Sequence, residues 1–236
     1  MSEPCRFLAV VPARGGSKRL PRKNVLPLGG RPLIAWTITT AHQSGVLGDV
    51  LVSTDDGEIA GAARDAGAMV PWLRPAELAT DSASSADVLR HALKWYETQH
   101  GTVDAVVLLQ PTSPFRTAAS IRGAVAAFRT QDGQSAQAVV SVGPAASHPA
   151  WCFRVEGGML QPFLGWEPLS QRSQDLEPAF ALNGAIYVLP AADVRGSEPL
   201  LRPGIRPYVM HDAHESLDID TPDDWQTAMS IAKGSS

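Results

Sequence analysis

Phe7-Leu8-Ala9-Val10-Val11-Pro12, continued by Ala13-Arg14-Gly15-Gly16-Ser17-Lys18-Arg19-Leu20-Pro21-Arg22-Lys23-Asn24, is the stretch on which the fold turns. A short, unbroken apolar run closed by proline is the profile of a strand buried on both faces. The polar, glycine-paired segment behind it then lies at the carboxyl end of that strand, where open α/β sheets bind their ligands. Outward from this unit the pattern repeats. Leu33 to Ala41 recur at helical spacing up to Gly45, with Pro32 at a first-turn position. Asp49–Ser53 reads as a strand, Glu58–Ala66 as a helix stopped by Gly67, and Met69-Val70 as the start of a short third strand. Ser84–Gln99 reads as a helix with Val88, Leu89, Ala92, Leu93 and Tyr96 on one face. Ala105–Leu109 is a strand, Ile121–Arg129 a helix and Ala138–Val142 a strand. Alternation of this kind implies an α/β fold with a mostly parallel sheet covered on both faces.

After Gly143 the rhythm breaks. Residues 144–178 are rich in Pro, Gly and aromatics, and Trp151–Val155, Gly157-Gly158 and Met159–Gln161 have the form of a hairpin. Ala185–Leu189 and Arg206–Met210 return to strand character, and Thr221-Pro222 opens a last helix with Thr as N-cap. The economical reading is one domain over 1–236, with 144–178 as an excursion that packs on the sheet or on another subunit.

The chain has 236 residues, 20 basic and 24 acidic, for a net charge of −4, but the charge is segregated. Between Pro4 and Gly48 there is no Asp or Glu, while Arg6, Arg14, Lys18, Arg19, Arg22, Lys23 and Arg31 contribute +7. A nucleic-acid protein is usually basic throughout, so a local anion site near the N-terminus is the better reading. No apolar run approaches the ~18 residues of a membrane span, and the first residues lack a signal-peptide pattern. Cys5 and Cys152 stand far apart with no CxxC around them, which points to reduced thiols in a cytoplasm and away from a thiolate zinc site.

In the loop, Gly15 and Gly16 let backbone N–H groups approach an anion, Ser17 adds a hydroxyl, and Arg14, Lys18 and Lys23 supply charge. Phosphates are the expected guests, although neither a Walker A loop nor GxGxxG is present. Near the other end, Asp218-Ile219-Asp220 puts two carboxylates on one face of an extended segment, a donor set that suits Mg²⁺ completed by phosphate oxygens; a solvated acidic turn is the alternative. Gln110 follows a buried strand, and Arg116 could either clamp a carboxylate or serve the fold. Spacing alone makes Ser84 or Ser85 an N-cap.

The run Arg14–Asn24 resembles the signature of the acylneuraminate cytidylyltransferases. Further matches occur in family order: Arg74-Pro-Ala-Glu-Leu78, Asp81-Ser-Ala-Ser-Ser85, Leu109-Gln-Pro-Thr-Ser-Pro-Phe-Arg116, Asn183-Gly-Ala-Ile-Tyr187 and Ser216-Leu-Asp-Ile-Asp220. The resemblance runs from about Phe7 to Ile231 and implies a Rossmann-like nucleotidyltransferase fold that dimerises through 144–178. It implies transfer of CMP from CTP to the 2-hydroxyl of a nine-carbon sialic-type acid, such as N-acetylneuraminic or N,N'-diacetyllegionaminic acid, with release of pyrophosphate. By position it implies CTP contacts from Arg14, Ser17, Lys18, Lys23, Asn24, Arg74 and Ser85. Arg14 and Lys23 would stabilise the transition state. Gln110, Arg172 and Tyr187 would face the sugar, and Asp218 and Asp220 would hold Mg²⁺. A metal-bound hydroxyl or one of the aspartates would take the proton. His148 is the histidine placed near this site. Trp151 stands where some sialate enzymes carry a lysine, which favours a di-N-acetylated sugar. The rival readings are a synthetase for the eight-carbon sugar Kdo and a nucleotide-binding module without turnover.

Overall fold

The strand that opens the sequence lies inside a six-stranded sheet. A computed structural model of the chain describes residues 5–80, 82–129 and 137–234. Its strands are β1 (Phe7–Pro12), β2 (Pro27–Leu28), β3 (Arg31–Pro32), β4 (Val50–Ser53), β5 (Ala105–Leu108), β6 (Val139–Pro144), β7 (Phe153–Glu156), β8 (Met159–Pro162), β9 (Phe180–Pro190) and β10 (Arg206–Val209). The helices are α1 (Leu33–Ser44), α2 (Gly57–Asp65), α3 (Ser85–His100), α4 (Ala118–Phe128), α5 (Ala191–Arg195) and α6 (Pro222–Gly234). The large sheet has the order β10-β6-β9-β5-β1-β4, while β2-β3 and β7-β8 form separate two-stranded pairs.

Side-chain alternation explains why β1 must be apolar throughout. Phe7, Ala9 and Val11 pack toward α1, α2 and α4, with Ile34, Ile38, Ile59, Ile121 and Phe128. Leu8 and Val10 point the other way, onto Leu89, Leu93 and Tyr96 of α3 and Val194 of α5. The five α3 residues read as one face are all buried. A third cluster joins Leu28 and Leu33 to Ile219 and to Trp225 and Ala228 of α6.

The large sheet is mostly parallel, as expected: β1 pairs parallel with β4 and β5, and β10 with β6, while β9 runs antiparallel to both neighbours, β5 and β6. The β6-to-β9 connection contains no crossover helix of the kind a parallel return needs. Two expectations change. First, Met69-Val70 supplies one isolated parallel bridge, Leu51 to Met69, and no strand. Second, Pro32 is extended (φ −52°, ψ 142°) and caps α1 from outside its first turn. The hairpin is confirmed: β7 and β8 pair through Gly157 and Gly158, whose φ values of 58° and 76° are those of a tight primed turn. Around it Val155, Met159, Phe163 and Trp166 are each more than half exposed. No helix among the described residues is long and apolar enough to cross a membrane.

The direction of β9 decides which of its residues reach the crevice. Tyr187 pairs with Leu108 near the carboxyl end of β5, so the earlier residues Asn183 and Gly184 lie beyond that end, beside Gln110.

Candidate active site

The basic loop is fixed by the strand next to it. Ala13 donates its N–H to Ser53 O at 2.9 Å, which continues the β1–β4 register past Pro12. Gly15 donates to Asp55 Oδ1 at 3.0 Å, and a Cβ at Gly15 would stand 2.8 Å from Asp56 Oδ2, so a larger residue would push the loop off its support. Asp56 itself is the N-cap of α2, accepting from Glu58 and Ile59 N–H at 2.8 and 3.0 Å. Arg22 takes a left-handed conformation (φ 58°) and pairs with Glu58. Sequence reading missed Asp55, Asp56 and Glu58 as partners of the loop. In the sequence they form an ordinary helix start after a strand, and only the adjacency of β1 and β4 brings them under it.

Across the crevice the loop meets Asp220, while Asp218 lines the neighbouring cavity. Ile219 is buried and its N–H donates to Thr112 O at 2.8 Å, which pins the extended segment with Asp218 exposed on one side and Asp220 half-buried. Lys23, only 8 % exposed, donates from Nζ to Ile219 O at 2.5 Å and to Asp220 Oδ1 at 3.0 Å. Arg19 reaches Asp220 Oδ2 at 2.7 Å. Asn24 is buried, holds Arg14 O through Nδ2 at 3.1 Å, and leaves its Oδ1 without a hydrogen-bond partner among the described residues. Charges far apart in sequence are thus neighbours.

Gln110 stands where everything converges. A cavity of about 510 Å³ holds Arg14, Ser17, Lys18, Lys23, Asn24, Gln110 and Asp220 on its walls. A second, of about 330 Å³, shares Arg14 and Gln110 and adds Arg74 and Ser85. A third, of about 380 Å³, shares Gln110 and adds Tyr187, Asn183 and Asp218. Gln110 lines all three, and it is held from two sides. Arg116, 2 % exposed, donates to Gln110 O and, at 2.8 Å, to Thr37 Oγ1 on α1. On the other side Gly184 (φ 72°) lies so close that a Cβ there would be 2.9 Å from Gln110 Oε1.

The two readings of Arg116 resolve in favour of the fold: both described hydrogen bonds go to neutral acceptors, and the residue lines none of the three cavities. Burial pushes its guanidinium down to about 9, opposed by the charge of Asp218. Arg74 is likewise tied inward, to Ser53 Oγ at 3.0 Å and to Ser53 O, although it still lines the second cavity; burial lowers its pKa, with Asp55 pulling the other way. The cap of α3 is Ser84, whose Oγ accepts from Asp87 N–H at 3.1 Å, and this leaves Ser85 to the cavity. Asp81, from the same motif, lies outside the described residues. Tyr187 is half-buried, and burial followed by the Asp218 carboxylate raises its phenol pKa.

Two residues fall away from the crevice. Arg172 is exposed at the start of a short 3₁₀ turn beyond the hairpin and lines none of the three cavities. His148 staples the arm instead: Nδ1 accepts from Ala150 N–H at 3.1 Å, and Nε2 lies 2.9 Å from Glu177 O. The packing of its ring against Trp151, at 5.7 Å between centroids, belongs to the same local structure.

A family profile described as cytidylyltransferase matches residues 8–148, which include the loop, Arg74, Ser85 and Gln110. The chain belongs to the cytidylyltransferase family. It is therefore a nucleotidyltransferase by family, as the motif resemblance implied. Among relatives of this cytidylyltransferase, the CMP-N,N'-diacetyllegionaminic acid synthase of Legionella pneumophila is 40% identical over 228 residues, 93% of each chain. An N-acylneuraminate cytidylyltransferase of Escherichia coli is 35% identical over 227 residues; the match covers 96% of this chain and 52% of that longer protein. The solved structure of a CMP:2-keto-3-deoxy-manno-octonic acid synthetase complexed with CTP superimposes with a TM-score of 0.74 over 98% of this chain and all of the other. At 18% identity that likeness is one of fold.

Proposed function

We propose that this cytidylyltransferase transfers CMP from CTP to the 2-hydroxyl of a nonulosonic acid of the neuraminic–legionaminic type and releases pyrophosphate. The observation that carries the reading is the meeting of three cavities at Gln110: one walled by the basic loop, one by Arg74 and Ser85, one by Asp218 and Tyr187. A triphosphate, a base and an acceptor sugar need that arrangement, and the relatives' names supply the chemistry.

In this reading Arg14, Ser17, Lys18 and Lys23 bind the triphosphate, and Asn24, Arg74 and Ser85 bind the nucleoside end. Asp218 and Asp220 are hard oxygen donors two residues apart on a pinned segment, which fits Mg²⁺. The cation would neutralise phosphate charge as the α-phosphorus is attacked. The acceptor's 2-hydroxyl oxygen forms the new P–O bond in line, the bond to the bridging oxygen breaks, and Asp218 receives the hydroxyl proton. Arg14 and Lys23 stabilise charge gathering on the non-bridging and leaving oxygens, so the chain's contribution is positioning and electrostatics. Before CTP enters, Asp220 holds Lys23 and Arg19; the triphosphate takes over these cations.

The rest of the reading concerns organisation. Residues 1–236 form one cytidylyltransferase domain, with 144–178 as an arm that pairs two copies. Exposed Val155, Met159, Phe163 and Trp166 support this. Free Cys5 and Cys152 suit a reducing cytoplasm. A pyrophosphate-release assay with CTP, Mg²⁺ and a panel of sugar acids tests the function. Release with N-acetylneuraminic or N,N'-diacetyllegionaminic acid is expected. Best turnover with Kdo, or none with any sugar, would overturn the reading.

A further inference from the structure

The basic loop rests on an acid. Between Pro4 and Gly48 the chain carries no Asp or Glu, yet the pairing of β1 with β4 brings Asp55 under the loop's first glycine. Asp55 is half-buried, and its Oδ1 accepts the Gly15 N–H at 3.0 Å. That amide is therefore taken up inside the protein, as is the Ser17 N–H, which donates to Gly15 O at 2.9 Å. Arg14 and Ser17, on either side of this turn, wall the cavity of about 510 Å³. A bare carboxylate in this position would repel phosphate. Arg74 answers it. Its side chain is buried, and its described hydrogen bonds run to neutral oxygens: Ser53 Oγ at 3.0 Å, Ser53 O, and Leu78 O at 3.4 Å. The carboxylate that favours its charged form is Asp55, against the opposing field of Arg14. Arg14, Asp55 and Arg74 thus form a plus–minus–plus group beside the two cavities that Arg14 shares.

We infer that Asp55 is a positioning residue for nucleotide binding. Through Gly15 it holds the loop in the shape that receives the triphosphate, and Arg74 offsets its charge. The inference rests on the placing of the triphosphate in the proposed reaction and deepens it. This role needs a hydrogen-bond acceptor of the right reach at residue 55, and it does not need the negative charge. Simple electrostatics predicts the opposite sign: deleting an acid beside a phosphate site should strengthen anion binding.

Asp55→Ala, Asp55→Ser and Asp55→Asn separate the two. Each is checked for a cooperative melting transition and titrated calorimetrically with inorganic tripolyphosphate and Mg²⁺. Each is then assayed for pyrophosphate release with CTP and N,N'-diacetyllegionaminic acid. Asp55→Ala, and Asp55→Ser with its shorter side chain, should weaken tripolyphosphate binding and raise KM for CTP by about tenfold, the effect of losing one hydrogen bond. In both, kcat at saturating CTP and KM for the sugar acid should stay within about twofold of the parent. Asp55→Asn keeps an acceptor oxygen at the same reach and should restore tripolyphosphate binding and KM for CTP to within about twofold. Tighter or unchanged tripolyphosphate binding in the alanine and serine variants overturns the inference. So does an asparagine variant as weak as the alanine one, because charge would then be the agent. Failure of both shortened variants to fold assigns Asp55 to the fold itself and also overturns it. A parent protein that binds tripolyphosphate but releases pyrophosphate with no sugar acid overturns the cytidylyl-transfer reading and leaves this inference standing; one that binds neither CTP nor tripolyphosphate overturns both.

Discussion

Replacing Gly184 by Ala separates the two ways in which that glycine serves the site. The first cost is backbone strain: at φ 72° a residue with a Cβ pays about 1–2 kcal/mol. For a chain of this size that lowers the melting temperature by about 2–8 °C. The second is steric. The new methyl would stand 2.9 Å from Gln110 Oε1 and 3.7 Å from Cδ, so the amide must swing away from the point where the three cavities meet. A displacement approaching 1 Å at a positioning group costs on the order of 100-fold in rate. Gly45→Ala is the matched control, since its φ is 66° but nothing lies within 4 Å of the added Cβ. Both variants should lose similar stability in a circular-dichroism melt, and only Gly184→Ala should lose kcat/KM for the sugar acid. Equal activity in the two, with equal melting, would refute the idea that Gly184 holds Gln110 in place.

Single contacts set the other expected outcomes. Arg116→Lys keeps the charge but has one ammonium for two acceptors, Gln110 O and Thr37 Oγ1; it should cost about 1–3 kcal/mol in urea denaturation. His91 packs edge-on against Trp72 at 5.0 Å between centroids, and burial, aided by Arg74, lowers its pKa. The unfolded chain then binds the proton more readily, so stability is complete above the unfolded pKa of about 6.5 and is lost as pH falls below it. His91→Phe should flatten that acid-side decline in melting temperature between pH 7 and pH 5. Trp166→Glu should convert a dimer to monomer in sedimentation velocity; a parent protein that already sediments as a monomer contradicts the pairing role of the arm.

How much of the fold and the site was legible in the sequence depended on whether a local pattern carried it. β1, β5 and β6 announced themselves as apolar runs, because strands covered on both faces tolerate little else. The loop and the aspartates were visible through charge segregation, which is a property of the chain itself. The direction of β9 was not visible: composition marks a strand but says nothing of which way it runs, and nothing ahead of Ala185 marks the extension of β9 that pairs Phe180, Ala181 and Leu182 with β6. The support of Gly15 by Asp55, and of Gln110 by Arg116 and Gly184, depends on neighbours brought together by sheet order. An arginine buried on neutral acceptors looks, in sequence, like one waiting for a carboxylate.

The central claim is that the basic loop and the Asp218–Asp220 pair form one reaction centre for CMP transfer. Its most direct test is pyrophosphate release by Asp218→Asn with CTP, Mg²⁺ and N,N'-diacetyllegionaminic acid. Asp218 is exposed and its replacement is nearly isosteric, so the melting curve should stay that of the parent while turnover falls at least about 1,000-fold, the loss of several kcal/mol of transition-state stabilisation. A folded variant that retains near-parental release would contradict the claim.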